Sequence, residues 1–276
     1  MTTADGFGWC FCTKEKKSTL LISRFKHAMG ISRKESAALA VHQATQIKKI
    51  SVSMSAEGIR WRDIPAERAD YIPCRIGPFS TPVKTAFQLT RISRIVAHSS
   101  EKNGGLLIHG ALAAWNGMGV ILAGPGGVGK TTAVKRLPSP WRALSDDNTL
   151  IVKAPDGTYW VHPWPTWSRY RQGDMSGSWN VQAAVKLKAI FMLAQAKKDR
   201  VLLLSSSQAI SELVEVSGQT FFIMANGLDK GPIRRLNLMR FHNAVALTKK
   251  IPIYRLEISL KGKFWRDIEK VLASLR

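Results

Sequence analysis

The chain predicts an α/β fold built around a nucleotide-binding loop. Three observations lead there. From residue 86 onward, short apolar strand-like runs interleave with helical stretches. One of those runs leads directly into a glycine-rich loop, GPGGVGKT, at 124–131. The loop is followed at once by a segment of helical composition.

The elements follow in order. Ala86 to Ser99 reads as an amphipathic helix with Phe87, Leu89, Ile92 and Ile95 as its apolar stripe. Leu106 to Trp115 reads as a strand, Asn116-Gly117 as a two-residue hairpin turn, and Gly119 to Ala123 as the returning strand. After the loop, Thr131 to Leu137 should form a helix that Pro138 and Pro140 stop early. Arg142 to Ser145 leads into Asp146-Asp147. Asn148 to Lys153 and Thr158 to Val161 make two strands around a Pro-Asp-Gly turn. The remainder reads as a strand at Ala189 to Gln195 and helices near Ser207 to Val216 and Leu236 to Thr248. A strand at Ile253 to Ile258 and a helix at Lys263 to Leu275 close the chain.

Residues 1–85 give a weaker pattern, expected as an irregular N-terminal region beside a domain at 86–276. Arg33 to Lys48 has helical composition behind Ser32, with Glu35 completing a capping-box spacing. Ile47 to Met54 alternates weakly, with Ile59 to Ile64 as its expected hairpin partner. Tyr71 to Pro82, rich in Pro and Gly, reads as a linker.

Bulk properties narrow the function classes. The 276 residues suffice to bury a core without disulfides, and the three cysteines, Cys10, Cys12 and Cys74, lack the paired spacing of a zinc site. No apolar run approaches the ~18 residues of a membrane span, and the start does not read as a signal peptide. A cytoplasmic protein with reduced thiols is expected. Lys+Arg exceed Asp+Glu by 41 to 19, for a net charge of +22. Such a field attracts polyanions, yet the cations form short scattered clusters, and no nucleic-acid recognition motif accompanies them. The expected partner is a protein or peptide, of acidic character, and no specific nucleic acid. Homo-oligomerisation is left open.

Chemistry concentrates in the glycine-rich loop. Gly124, Gly129, Lys130 and Thr131 meet the phosphate-loop pattern. With Pro125, Gly126, Gly127, Val128 and Thr132 they form the expected nucleotide-binding set. Glycines let backbone N–H groups turn inward around phosphates, Lys130 supplies a mobile positive charge, and Thr131 offers a hydroxyl to Mg2+. Such a loop usually works with an acidic residue that holds the metal, and Asp146-Asp147, 16 residues beyond Lys130, is the one good candidate. His109 sits within the strand that precedes the loop. The expected cofactors are ATP and Mg2+. No base-selecting motif is present.

His109-Gly110, the hairpin strand, the loop, a short helix and Leu144-Ser145-Asp146-Asp147 together resemble the kinase domain of HPr serine kinase/phosphorylase. That family carries a His-Gly dipeptide before the loop and a leucine followed by Asp-Asp after it. The resemblance implies a fold similar to the nucleotide-binding part of phosphoenolpyruvate carboxykinase. It extends to HPr kinase-like proteins of peptide-modification cassettes, the SynChlorMet cassette kinase-like family above all. It rests on residues 86–170, loosely on 171–276, and says little of 1–85. It implies that Lys130 and Thr131 hold phosphates and Mg2+, and that Asp147 helps hold the metal. Asp146 would accept the proton of an incoming serine hydroxyl, with His109 close to the pair and the γ-phosphate. The Arg-Gly-Leu-Gly-type segment of the bifunctional enzymes is replaced here by His162-Pro-Trp-Pro-Thr-Trp-Ser168. HPr as substrate and phosphorolytic reversal are therefore not carried over.

Two lesser features complete the reading. Trp160, Trp164, Trp167 and Trp179 cluster with prolines after the acidic strand, either as core packing or as a grip for a peptide or base. Arg169, Arg171, Arg234 and Arg235 are candidate neutralisers of a transferring phosphoryl group. The expected activity is ATP- and Mg-dependent phosphoryl transfer to a serine hydroxyl of a protein or peptide. The rival is an NTPase or nucleotide switch in a peptide-maturation complex, without a kinase substrate of its own.

Overall fold

The computed structural model describes residues 1–31, 44–54, 71–174, 176, 179–220 and 230–275. Two sheets organise them. The first is built from β1 (Phe7–Cys12), β2 (Gln46–Met54) and β3 (Tyr71–Ile76), all parallel, in the order β1-β2-β3. Helix α1 (Lys16–Ala28) lies between β1 and β2 in the chain and buries Leu21, Ile22, Phe25 and Ala28, a helical spacing, on one side.

This corrects the irregular reading of the N-terminal region. Tyr71 to Ile76, expected as a linker, is a strand, and Gln46 to Lys48, expected at the end of a helix, begins β2. The rest of that helix and the Ile59 to Ile64 hairpin lie outside the described residues. β2 pairs in parallel with β1 and β3, and those parallel partners carry no turn signal in the sequence.

Helix α2 (Pro82–Lys102) joins the two sheets. Thr81 caps it by accepting from Lys84 N–H at 3.2 Å, and Pro82 occupies the first helical position, where its missing N–H costs nothing. Ala86, Leu89, Ile92 and Val96 of α2 join Phe25, Ile50, Ile76, Trp164 and Trp167 in one core that draws on both sides of residue 85.

The second sheet has eight strands among the described residues: β4 (Leu106–Trp115), β5 (Met118–Ala123), β6 (Arg142–Ser145), β7 (Asn148–Lys153), β8 (Tyr159–Trp164), β9 (Val185–Gln195), β10 (Arg200–Leu203) and β11 (Ile253–Ile258). Their order is β10-β11-β9-β5-β4-β7-β8, with β6 on β4, and the start of β9 also pairs with β8. β5, β9 and β11 run parallel, and the other pairs are antiparallel. The Asn116-Gly117 turn has φ of 49° and 76°, the two positive angles that a tight hairpin needs.

Helices cover both faces. Ile121 and Ala123 of β5 point to a core under α5 (Ser206–Gln219) and α6 (Lys230–Thr248). Val120 and Leu122 point the other way, to α3 (Lys130–Lys135) and α7 (Trp265–Ser274). A short helix α4 (Ser168–Arg171) follows β8. The mixed α/β class expected from the sequence is the class observed. Among the described residues no helix is long and apolar enough to cross a membrane.

Candidate functional site

The site forms where β4, β5 and the β6–β7 strand pair meet. β5 ends at Ala123, opposite Gly110 of β4, and the chain then enters the 124–129 loop. Gly124, Gly127 and Gly129 have φ of 149°, 80° and 106°, a region that side chains with a Cβ rarely enter. A Cβ placed on Gly126, Gly127 or Gly129 would meet open space, so the loop turns bare backbone outward. Gly110 is required for the opposite reason, because its Cβ would stand 2.7 Å from Ile121 Cγ2.

β6 and β7 both pair antiparallel with β4, and the β6 pairing shifts register between Leu112 and Ala113. Leu112 faces Ser145 and His109 faces Asn148. Asp146 and Asp147 fall between those pairs, where the ladder opens into a bend. Flanking hydroxyls hold the bend. Ser145 Oγ donates to the Asn148 carbonyl at 2.9 Å and accepts from Leu112 N–H at 3.3 Å. Thr149 Oγ1 donates to the Gly110 carbonyl at 2.8 Å. Ser145 and Thr149 were not singled out from sequence, although short hydroxyl residues bracketing an Asp pair are the local signal for such side-chain-to-backbone bonds.

The bend brings the expected residues together. His109 Nδ1 lies 3.1 Å from Asp147 Oδ1, and the Asn148 side chain also hydrogen-bonds the imidazole. Burial, then the nearby Lys130 charge, lowers the His109 pKa below its ordinary value, against the pull of Asp147. A neutral ring with its proton on Nδ1, toward the carboxylate, leaves Nε2 as an acceptor. Lys130 is largely buried, and its ammonium donates to the carbonyls of Gly124 and Pro125 at 2.9 and 3.0 Å. Burial lowers its pKa, and Asp147 opposes that shift. Asp146 shares the bend, half-buried, without touching His109 in the manner of Asp147. Thr131 and Thr132, on the first turn of α3, are exposed. An open cleft of about 540 Å³ lies over this point, lined by His109, Gly126, Gly218 and Gln219. The α5 pair, Gly218-Gln219, was likewise not foreseen.

Among the described residues no three His, Cys, Asp or Glu side chains converge as a metal cage. Mg2+ keeps several waters and needs only one or two carboxylates beside substrate phosphates, and Asp147 and Thr131 are the residues expected to supply its protein ligands.

Other expected residues lie elsewhere. Trp164 and Trp167 are buried; Trp167 stacks near Phe25 at 6.1 Å and donates through Nε1 to Ser93 Oγ at 3.2 Å. Trp160 and Trp179, partly buried, pack against the same core, so the tryptophan cluster serves core packing. His162 is buried between the Val181 carbonyl, 2.7 Å from Nδ1, and the Ala4 N–H, 3.2 Å from Nε2, and so ties the N-terminus to β8. Arg169 and Arg171 are exposed on α4, next to that first core, and Arg234 and Arg235 are exposed on α6.

A family model described as SynChlorMet cassette protein ScmC matches residues 72–273. The chain belongs to this ScmC family. The match spans β3, α2 and nearly all of the second sheet with its helices, and so contains every residue of the site. No curated protein matches the chain.

Proposed function

We propose that this ScmC-family protein is an ATP- and Mg-dependent phosphotransferase of the HPr kinase type, acting on a serine hydroxyl of a protein or peptide. The observation that carries the reading is the convergence of Lys130, His109 and Asp147 at the mouth of a glycine loop. Phosphoryl transfer asks a protein for position and charge neutralisation more than for covalent chemistry, and this site is built from those parts. Lys130, now bonded to its own loop carbonyls, would exchange them for phosphate oxygens. Bare backbone at Gly126, Gly127 and Gly129 would complete the phosphate cradle. Thr131 and Asp147 would hold Mg2+, which when bound supplies charge neutralisation at the phosphates. Asp146 would accept the proton of the serine hydroxyl. His109, neutral and oriented by Asp147, would stand beside the acceptor and fix the carboxylate pair. Membership in a family of cassette proteins supports a substrate made alongside the protein, and a peptide to be modified fits best.

The test is to incubate the protein with γ-labelled ATP, Mg2+ and serine-containing candidate peptides and to read the products by mass spectrometry. A peptide gaining one phosphoryl group on serine, dependent on both ATP and Mg2+, is the expected result. Release of phosphate from ATP with no labelled peptide would favour the nucleotide-switch reading instead.

A further inference from the structure

We propose that the outer edge of β10 is a docking site for an acidic peptide segment in extended conformation, which joins the second sheet as an added strand. This surface lies apart from the candidate catalytic cleft, and the inference does not depend on phosphoryl transfer.

β10 stands last in the strand order, paired on one side with β11. Among the described residues no strand covers its other side. Leu204 N–H donates to the Ile253 carbonyl at 3.0 Å, so with a period of two, Leu202 and Arg200 also bond toward β11. The N–H and C=O groups of Val201 and Leu203 therefore face outward, an unpaired template for another strand. The side chains along this edge are apolar where solvent would favour polar groups: Leu203 is 67% exposed, Leu202 41% and the neighbouring Leu260 91%. Leu260 belongs to the corner because Ser259 donates through N–H and Oγ to Asp199, at 2.7 and 2.9 Å, which ties the 259–262 turn to the β9–β10 turn.

The charge around the edge selects the occupant. Lys197, Lys198, Arg200, Lys261 and Lys263 are all exposed there. The nearby acids are already engaged, Asp199 with Ser259 and Glu257 with Arg200. A second copy of this chain pairing edge to edge would bring the same cations against one another, at the cost that like charges carry in a cross-strand pair. An acidic strand with alternating apolar residues meets the opposite situation. Its backbone pairs with Val201 and Leu203, its apolar side chains lie on one sheet face beside Leu203, and its carboxylates lie on the other, within the field of the four exposed lysines around the edge.

The experiment uses the full chain and a fluorescein-labelled alternating Glu-Val decapeptide, with an alternating Lys-Val decapeptide as control. Anisotropy titrations should show binding of the Glu-Val peptide alone, weakening as salt rises. Leu203→Pro removes one outward donor while leaving the bonds to β11, as an edge position allows, and should weaken binding at least tenfold. Leu203→Ala keeps the donor and should weaken it less. Hydrogen exchange on the wild-type protein gives a reading that needs no variant: the Val201 and Leu203 amides should slow on adding peptide. Absence of binding, equal binding of the Lys-Val peptide, wild-type affinity in a folded Leu203→Pro variant, or protection confined to other amides would each overturn the proposal.

Discussion

His109 Nδ1 and Asp147 Oδ1 stand 3.1 Å apart although 38 residues separate them, because β4 and β7 share the register in which His109 faces Asn148. The pair couples two parts of the site. The carboxylate fixes the ring's tautomer, and the ring fixes one carboxylate oxygen.

The signs of the interactions at His109 make a first prediction. Burial and Lys130 push its pKa below the ordinary 6.5, and Asp147 pulls it up. Removing the carboxylate with Asp147→Asn should therefore lower the pKa further, and Lys130→Met should raise it. Because the folded value lies below the unfolded one, His109 favours folding fully above about 6.5, and that contribution fades as pH falls below it. NMR titration of the ring in the three proteins measures the shifts directly. A higher pKa in Asp147→Asn would mean that the two groups do not interact as described.

Lys130→Ala should leave the fold intact and weaken ATP. The ammonium contacts the carbonyls of Gly124 and Pro125, which an open loop lets water satisfy. A charge-assisted hydrogen bond is worth about 1.5–3 kcal/mol, or roughly 10- to 150-fold in affinity. Calorimetric titration with Mg-ATP, beside a thermal melt, separates the two effects. Wild-type affinity in a folded variant would remove the phosphate-loop reading.

The two aspartates should fail differently. Asp147→Asn should shift the Mg2+ dependence of nucleotide binding upward, since an amide oxygen is a poorer ligand for a hard cation. Asp146→Asn should keep nucleotide affinity and lose transfer, because an amide accepts no proton from a hydroxyl. Mg-ATP titrations and single-turnover labelling on both variants distinguish the roles. The reverse pattern, with Asp146 governing affinity and Asp147 dispensable, would exchange the assignments.

The second sheet was readable because its signals are local. The Leu106 to Trp115, Asn148 to Lys153 and Ile253 to Ile258 strands lie where their apolar runs place them, and Asn116-Gly117 turns as its residue types require. Of the candidate site, the glycine loop and the Asp pair are local signals of a few residues, whereas the approach of His109 to Asp147 depends on the β4–β7 register. What the sequence hid is non-local. Parallel pairing of β1, β2 and β3 needs partners dozens of residues away and leaves no hairpin signature. The tryptophans in and after β8 read as core packing or as a grip, and the sequence does not show that α1 and α2 close over Trp167. The start of β9 touching β8 likewise follows from sheet curvature, which no window of residues encodes.

Glu101 carries the last prediction, because it holds α2 against α6. It is fully buried, and it accepts from Arg240 Nε at 3.0 Å and from Arg94 Nη2 at 3.4 Å, with His98 Nδ1 at 3.7 Å. Asn243 of α6 adds bonds to the Glu101 and Gly105 carbonyls at 2.6 and 2.8 Å, just before β4 begins. Burial alone would raise the Glu101 pKa, but Arg94 and Arg240 outweigh it and bring it down to about 2. Its folded value thus lies below the unfolded one, near 4.5. The stability it confers is complete above 4.5 and is lost as pH falls toward 2. Glu101→Gln leaves two buried guanidinium groups without their counter-charge and should destabilise the protein by roughly 3–5 kcal/mol at neutral pH. The gap to wild type should narrow as pH approaches 3, because the unfolded carboxyl is then protonated while the folded one is still held ionised, which offsets part of what the ion pairs contribute. Arg240→Met alone should also destabilise, and its combination with Glu101→Gln should cost less than the two separate losses together. Urea unfolding at pH 7 and near pH 3 measures both expectations. A gap that stays constant across that range, with strict additivity in the double variant, would show that packing at this junction matters and its charges do not.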